Sequence, residues 1–138
     1  MIRILVCGGR EFKDAARLAE TLLQIHQDRG ISLVIHGDAK RGADRMAKEW
    51  AKKTGIKDDP HEADWDDLSH HDAKVRVRAD GSKYDANAGF RRNQEMIDLK
   101  PDLVVAFPSN GNLAESRGTA DTVRRAKIAR IETMVVEK

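Results

Sequence analysis

The stretch IRILVCGG, residues 2–9, decides the predicted fold class. Its first six residues are mostly apolar and branched, and the glycines at positions 8 and 9 end the run. A short apolar run without polar alternation is typical of a parallel strand that is buried on both faces. Glycine directly after such a strand permits the tight turn that leads into a helix. The stretch therefore predicts the first strand of an α/β domain.

Segments typical of helices and strands alternate along the rest of the chain. The helical period is clearest over residues 42–54, where apolar residues recur three and four positions apart. Further helices are predicted at 12–29, 88–99 and 118–129, and further strands at 31–36, 56–62, 103–107 and 131–136. This alternation predicts an α/β Rossmann-like fold, with a parallel five-stranded sheet in the order 3-2-1-4-5 and helices on both faces.

A polar segment at about residues 64–88 interrupts the alternation. It shows no clear period and is predicted to be a loop excursion with a turn at Asp80-Gly81. Loops of this length in compact domains are usually functional lids or mobile segments. Within it, the run His70-His71-Asp72 is predicted to be solvated, because adjacent residues rarely converge on one metal ion. No metal site and no cofactor is predicted.

Composition narrows the classes of protein to which the chain could belong. Its 138 residues fit one domain spanning 1–138, and 40% hydrophobic with 35% charged residues is typical of soluble globular proteins. The single cysteine, Cys7, excludes an intrachain disulfide and fits a reducing compartment. No apolar run approaches a membrane span, so a cytoplasmic location is expected. The net charge of +2 is dispersed, which argues against nucleic acid as the main partner without excluding a local basic patch. A homo-oligomer is left open.

Glycine-rich segments follow several of the predicted strands. Parallel strands end at one edge of a sheet, so these segments should converge there, where α/β folds bind ligands. Glycine lets a ligand approach the backbone, and the free amides of a helix amino terminus bind anions. Glycines that only form turns are the alternative. The predicted ligand-binding residues are Gly8, Gly9, Arg10, Gly37, Asp38, Gly42, Asp44, Trp65, Arg92, Asn93, Pro108, Gly118 and Thr119.

The residue types at these positions favour a bound phosphate. Arg10 could form a fork with a phosphate or a carboxylate, and arginines 91 and 92 oppose the helix dipole unless an anion is near. Thr119 could bind phosphate or cap its helix, and Trp65 could stack on a base or anchor its loop. The chain has neither G-x-G-x-x-G nor G-x-x-x-x-G-K-[ST], which disfavours a dinucleotide dehydrogenase and a P-loop NTPase. Buried, inert roles are expected for Cys7, His36 and Trp50.

Several short motifs, taken in order, resemble one known family. They are Gly-Gly-Arg-Glu-Phe at 8–12, His-Gly-x6-Asp at 36–44, Ala-Asp-Trp at 63–65, Arg92-Asn93 with Met96, and Pro108 with Gly118-Thr119. Together they resemble the SLOG superfamily in its YspA-related branch, over nearly the whole chain except about residues 66–87. Relatives in that superfamily include the Lonely Guy phosphoribohydrolases and the DNA-processing protein DprA. The resemblance implies a Rossmann-like fold that binds nucleotides or nucleotide derivatives.

The resemblance also suggests catalytic residues, but this chain departs from the family's pattern at some of those positions. Lonely Guy enzymes cleave the N-glycosidic bond of a nucleoside monophosphate with an arginine-lysine pair and a glutamate three residues after a glycine-threonine loop. Arg92 matches the arginine, but Asn93 replaces the lysine and Thr122 stands at the glutamate position. Asp121 is one residue early, and it is paired with Arg92 as the predicted catalytic residues.

Other carboxylates could also serve, namely Asp38, Asp44 and Glu115, and nothing in the sequence selects among them. The main hypothesis is therefore binding or sensing of a nucleotide or nucleotide-derived phosphate. A nucleotide N-glycosidic or phosphate-bond hydrolase is the alternative, and DprA-like nucleic-acid binding is third.

Overall fold

The structure, a computed structural model, describes residues 1–137 and contains eleven regular strands and helices. In chain order they are β1 Ile2–Gly8, α1 Ala15–Arg29, β2 Ile31–His36, α2 Ala43–Thr54, β3 Lys57–Pro60, β4 Val75–Val77, β5 Lys83–Asp85, α3 Ala88–Asp98, β6 Leu103–Phe107, α4 Arg117–Ile128 and β7 Glu132–Val135. Two short 3-10 turns, Ser109–Gly111 and Leu113–Glu115, connect β6 to α4.

The main sheet has five parallel strands in the order β3-β2-β1-β6-β7. This confirms the predicted order, since β6 and β7 are the fourth and fifth strands of that sheet. β1 lies at its centre and pairs with β2 on one side and β6 on the other. The chain reverses its direction of winding between β1 and β6, so their carboxyl ends border the crevice that α/β sheets use for ligands.

Hydrophobic residues pack on both faces of the sheet. Alternate residues of β1 point to opposite faces, so Ile4 and Val6 join a core with α1 and α2 while Leu5 and Cys7 join a core with α3 and α4. These four β1 residues are at most 6% exposed. The predicted core role of Trp50 is confirmed, because its side chain is buried among the α1 and α2 residues. The helices thus cover both faces, as predicted.

The prediction that residues 64–88 form only a loop is wrong. They contain the antiparallel pair β4 and β5, separate from the main sheet. Both strands are three residues long and β4 is exposed on both faces, so no alternation of apolar and polar residues marks them in the sequence. The predicted turn at Asp80-Gly81 is confirmed, since Gly81 has a φ of +88° and its amide donates to the Arg78 carbonyl.

The bounds of two predicted elements and one predicted helix cap need correction. α1 begins at Ala15, because the Asp14 side chain accepts from the Arg17 amide and caps the helix, while Phe12 packs in the core. β3 covers only 57–60 of the predicted 56–62. Asn87 precedes α3 but its side chain does not cap it, since Nδ2 donates to the Asp72 carbonyl. Within residues 1–137, no helix is long and apolar enough to cross a membrane.

Candidate functional site

An open cleft of about 1600 Å³ lies at the carboxyl ends of β1, β2 and β6. The glycine-rich segments predicted a ligand-binding site at this edge of the sheet. Most of the predicted ligand-binding residues line it, namely Gly8, Gly9, Arg10, Gly37, Asp38, Asp44, Trp65, Arg92, Asn93, Gly118 and Thr119. Gly42, Pro108 and Asp121 are predicted site residues that do not line it. Gly42 and Pro108 are buried, and the backbone at Gly42 packs on that of Gly9 and Arg10.

The glycines of the cleft differ in which atoms an added Cβ would meet. A Cβ at Gly9 would collide with the Ser109 side chain, so this glycine is required by the packing of two loops. At Gly118, by contrast, no described atom lies within 4 Å of an added Cβ. Gly118 sits in the first turn of α4 and lines the cleft. A ligand could therefore occupy the space beside Gly118 without displacing protein atoms.

Three helices begin at the cleft, and in the described structure none of the three has a side-chain cap. No side chain accepts from the first amides of α2, α3 or α4. α1 differs, because Asp14 caps it and its first residues do not line the cleft. Thr119 is the third residue of α4, so the alternative in which it caps that helix is wrong. Uncapped helix amino termini carry partial positive charge and free N–H groups, which suits an anion.

Four cationic side chains line the cleft without a carboxylate partner among residues 1–137, namely Arg10, Lys40, Arg92 and Arg117. Among residues 1–137, no carboxylate oxygen lies within 4.0 Å of a guanidinium nitrogen of Arg10 or Arg92. Arg41 and Arg78, also in the lining, are paired with Glu11 and Asp66. Arg92 is the partly buried one of the four, whereas Arg10, Lys40 and Arg117 are exposed, and all four remain available to a bound anion.

Arg92 is held in place by backbone carbonyls. Its Nη1 donates to the carbonyl of Gly37 at 2.6 Å and to that of His61 at 3.3 Å, which follow β2 and β3. Burial lowers the pKa of Arg92, the nearby carboxyl group of Asp44 works in the opposite direction, and repulsion from Arg10 adds to the lowering. A partly desolvated guanidinium of this kind gains from a nearby negative charge.

Arg91, the other arginine in the first turn of α3, has acidic partners within the protein. Its guanidinium pairs with Asp85 and with Asp72, so the anion that offsets the repulsion between Arg91 and the helix dipole is supplied by the protein itself. Asp85 is fully buried and also accepts from the amides of Lys74 and Asn87. Burial disfavours its ionisation, but the hydrogen bonds from Arg91 and the two amides lower its pKa to about 2. Arg91 therefore anchors the excursion rather than a ligand.

Asp121 lies against arginines of its own helix. Its carboxylate accepts from Arg124 at 2.8 Å, from Arg125 at 2.7 Å and from Asn93 Nδ2 at 3.1 Å. Burial works against ionisation, but these three hydrogen bonds lower the pKa of Asp121. Its contacts, together with its position outside the cleft lining, fit a role in holding Asn93 in place. They do not favour direct contact with a ligand.

Asp44 is the buried carboxyl group that lines the cleft. It is 7% exposed, and its Oδ2 accepts from the Ala39 amide at 3.2 Å. Burial raises the pKa of Asp44, while the positive charge of Arg92 works in the opposite direction. Asp38 also lines the cleft but is paired with Lys48 at 3.1 Å. Glu115, in a 3-10 turn, is not part of the lining.

The other two residues that were expected to have buried, inert roles, His36 and Cys7, are buried in the structure. His36 is fully buried, its Nε2 lies 2.8 Å from Asp58 Oδ2, and its Nδ1 accepts from the Asp38 amide at 3.0 Å. Both ring nitrogens are therefore satisfied. Cys7 is 6% exposed, and burial raises the pKa of its thiol so far that no thiolate forms at neutral pH.

Two groups of residues, in the excursion and at the start of α3, were not singled out from the sequence. Tyr84 and Phe90 line the cleft beside Trp65, and Arg78 lies 5.0 Å from the Tyr84 ring centroid. Asp64, Asp67 and His70 place ligand atoms within 4.8 Å of one another, which is the one such grouping among residues 1–137. Nε2 of His70 lies 2.9 Å from Asp64 Oδ2.

Comparison with known proteins identifies relatives of this chain. A model described as the YspA, cpYpsA-related SLOG family matches residues 2–67. The Gene 61 protein of Mycobacterium phage D29 is 34% identical over 137 residues, covering 95% of this chain and 93% of that protein. Among solved structures, a deacetylase of teicoplanin biosynthesis in complex with teicoplanin is similar, at 14% identity and a TM-score of 0.47, over 95% of this chain and 68% of that one.

Proposed function

The chain belongs to the YspA- and cpYpsA-related SLOG family, and from this premise we propose that it binds a nucleotide or a nucleotide-derived phosphate in the cleft. The observation that carries the proposal is the pair Arg10 and Arg92, which line the cleft without a carboxylate partner among residues 1–137. Two guanidinium groups on one cleft repel each other, and an anion between them reverses that repulsion. Guanidinium groups bind phosphate as well as carboxylate, and a phosphate is the anion that we propose for this cleft.

The backbone around the two arginines supports the same proposal. The uncapped amino end of α4 adds free N–H groups, and Gly118 leaves space directly beside them. A phosphate in that space would accept from the α4 amides and from the guanidinium groups together. Nucleotide binding is also what resemblance to the SLOG superfamily implies for such a cleft.

Isothermal titration calorimetry tests this proposal. The probes are AMP, GMP, CMP, UMP and ADP-ribose, and the proteins are wild type, Arg10→Met and Arg76→Met. Arg76 is an exposed arginine of β4 outside the cleft, so it controls for loss of one positive charge. At least one probe should bind, and Arg10→Met should raise its Kd by about 10-fold or more, as expected for a charge-assisted hydrogen bond. Absence of heat with every probe, or equal effects of the two variants, would refute the proposal.

A second candidate function, hydrolysis, is favoured by the position of Asp44. Its raised pKa and burial in the cleft suit a general acid. In a nucleotide, the C1′–N bond would break, the proton from Asp44 would go to the leaving base, water would supply the hydroxyl at C1′, and the remaining proton of that water would return to the Asp44 carboxylate. Chromatography of released base tests this. Asp44→Asn should abolish release while Asp121→Asn retains part of it, and unchanged release by Asp44→Asn would exclude this role.

A further inference from the structure

The aromatic side chains of this chain fall into two groups. The sequence holds six, and three of them, Phe12, Trp50 and Phe107, are buried in the core between the sheet and helices α1 and α2. The other three are partly exposed, and all of them line the cleft: Trp65, Tyr84 and Phe90. We call these three the aromatic wall. Partly exposed aromatic side chains concentrated in one cleft are a feature of sites that bind ring systems.

The rings of the wall form a corner rather than a stack. The centroids of Trp65 and Tyr84 are 6.3 Å apart and their planes meet at 66°. Trp65 lies against α3, where a Cβ at Gly89 would approach its Cη2 to 2.8 Å. Arginines flank both rings, with Arg10 at 5.8 Å from the Trp65 centroid and Arg78 at 5.0 Å from that of Tyr84. Arg10 therefore links the wall to the cationic side of the cleft.

Buried polar contacts hold the wall in place. The Asp85 amide donates to the Trp65 carbonyl at 2.7 Å, which joins strand β5 to the Trp65 loop. The Asp85 carboxylate pairs with Arg91 of α3. The Ala86 amide donates to the Lys74 carbonyl at 2.8 Å and closes the base of the β4–β5 hairpin. The backbone segments that carry Trp65 and Tyr84 are thus fixed relative to each other before a ligand arrives, which reduces the entropy lost on binding.

We propose that the aromatic wall, with Arg78, binds the base of a nucleotide, so that the ligand class is a nucleoside phosphate rather than a sugar phosphate. This inference rests on the proposed phosphate site, because Arg10 contacts the wall and also lines that site. Bases stack on aromatic rings and on guanidinium planes, and both are present here. Tyr84, Phe90 and Arg78 lie outside residues 2–67, so the family match does not extend to most of this subsite.

The test compares ligands with and without a base. The probes are AMP, GMP, CMP and UMP, with ribose 5-phosphate as the base-free ligand, and the readout is Kd by calorimetry. The variants are Tyr84→Ala and Trp65→Ala, with Tyr84→Phe keeping the ring. Val75→Ala is the matched control, because Val75 lies on the same hairpin but outside the cleft. Thermal melts check that each variant is folded.

Wild type should bind at least one nucleotide about 5-fold or more tighter than ribose 5-phosphate, the range expected for stacking of one base. Tyr84→Ala and Trp65→Ala should remove that preference and leave the Kd for ribose 5-phosphate unchanged, whereas Tyr84→Phe and Val75→Ala should retain it. Equal affinity of wild type for both ligand types, or equal losses for both in the alanine variants, would overturn the base subsite alone. Absence of binding to every probe would overturn the phosphate site as well.

The fluorescence of Trp65 provides a second readout. Trp50 and Trp65 are the two tryptophans of the chain, and Trp50 is 8% exposed in the core. In a Trp50→Phe variant, Trp65 is the sole reporter. A nucleotide should quench its emission, because a stacked base contacts the indole, and ribose 5-phosphate should not. Equal quenching by both ligands would contradict a base on the wall.

Discussion

Substitution of Gly118 by alanine should raise stability and weaken ligand binding at the same time. The position is helical and no described atom lies within 4 Å of the new methyl group, so the folded protein meets no collision. Replacing glycine by alanine in a helix stabilises by about 0.5–1 kcal/mol, and less near a helix end. For a domain of this size the melting temperature should rise by up to about 4 °C.

The same methyl group would occupy the space proposed for the phosphate. Inserting a methyl group into a filled contact typically costs about 1–3 kcal/mol, so the Kd should rise by roughly 5-fold to 100-fold. Differential scanning calorimetry and titration with the tightest nucleotide measure the two effects on one protein sample. A rise in melting temperature with unchanged affinity would show that no ligand contacts the start of α4. A fall in melting temperature would show that the added methyl group collides with the protein, so that the space beside Gly118 is not open.

Three further predictions concern packing and charge. Gly9→Ala should lower stability by about 1–3 kcal/mol in chemical denaturation, because its methyl group would collide with Ser109; a neutral effect would mean that the two loops are not in contact. The pKa of Asp85 is lowered from 3.8 to about 2, so its contribution to stability is present above 3.8 and is lost as the pH falls towards about 2. Wild type should therefore lose more melting temperature than Asp85→Asn over that interval, and parallel curves would contradict the buried pair. Burial raises the pKa of Asp44, so the ionised form of Asp44 destabilises the folded protein. Asp44→Asn should therefore melt no lower than wild type at neutral pH, and the difference should vanish in acid. A large loss of melting temperature in Asp44→Asn at neutral pH would contradict this prediction.

The parts of the fold that follow from the sequence are those that depend on periodicity. β1 and β6 are short apolar runs buried on both faces, and α2 presents one apolar stripe, so each leaves a clear pattern. The hairpin β4–β5 leaves none, because its strands are short and largely exposed. It is held instead by the contacts of buried Asp85 with residues outside the two strands, such as Arg91 and Lys74. No local pattern encodes contacts of this kind.

The candidate site was predictable where it depends on the ends of strands. The topology alone brings Gly9, Gly37 and Gly118 to one edge, since parallel strands end together. The choice among carboxylates was not predictable, because it depends on which one is buried in the cleft and which one is paired. Asp44 lines the cleft, whereas Asp121 is held by the arginines at 124 and 125 of its own helix. Spacing along the sequence carries neither fact.

The central claim is that a phosphate binds at the carboxyl ends of β1 and β2 and at the start of α4. Backbone amide chemical shifts, recorded while the tightest-binding nucleotide is added to isotopically labelled protein, test it most directly. If a phosphate binds there, the largest shifts should occur at the amides of Gly9, Gly37, Gly118 and Thr119, with the Arg76 amide unchanged. Shifts confined to residues outside the cleft, with these four amides unmoved, would contradict it.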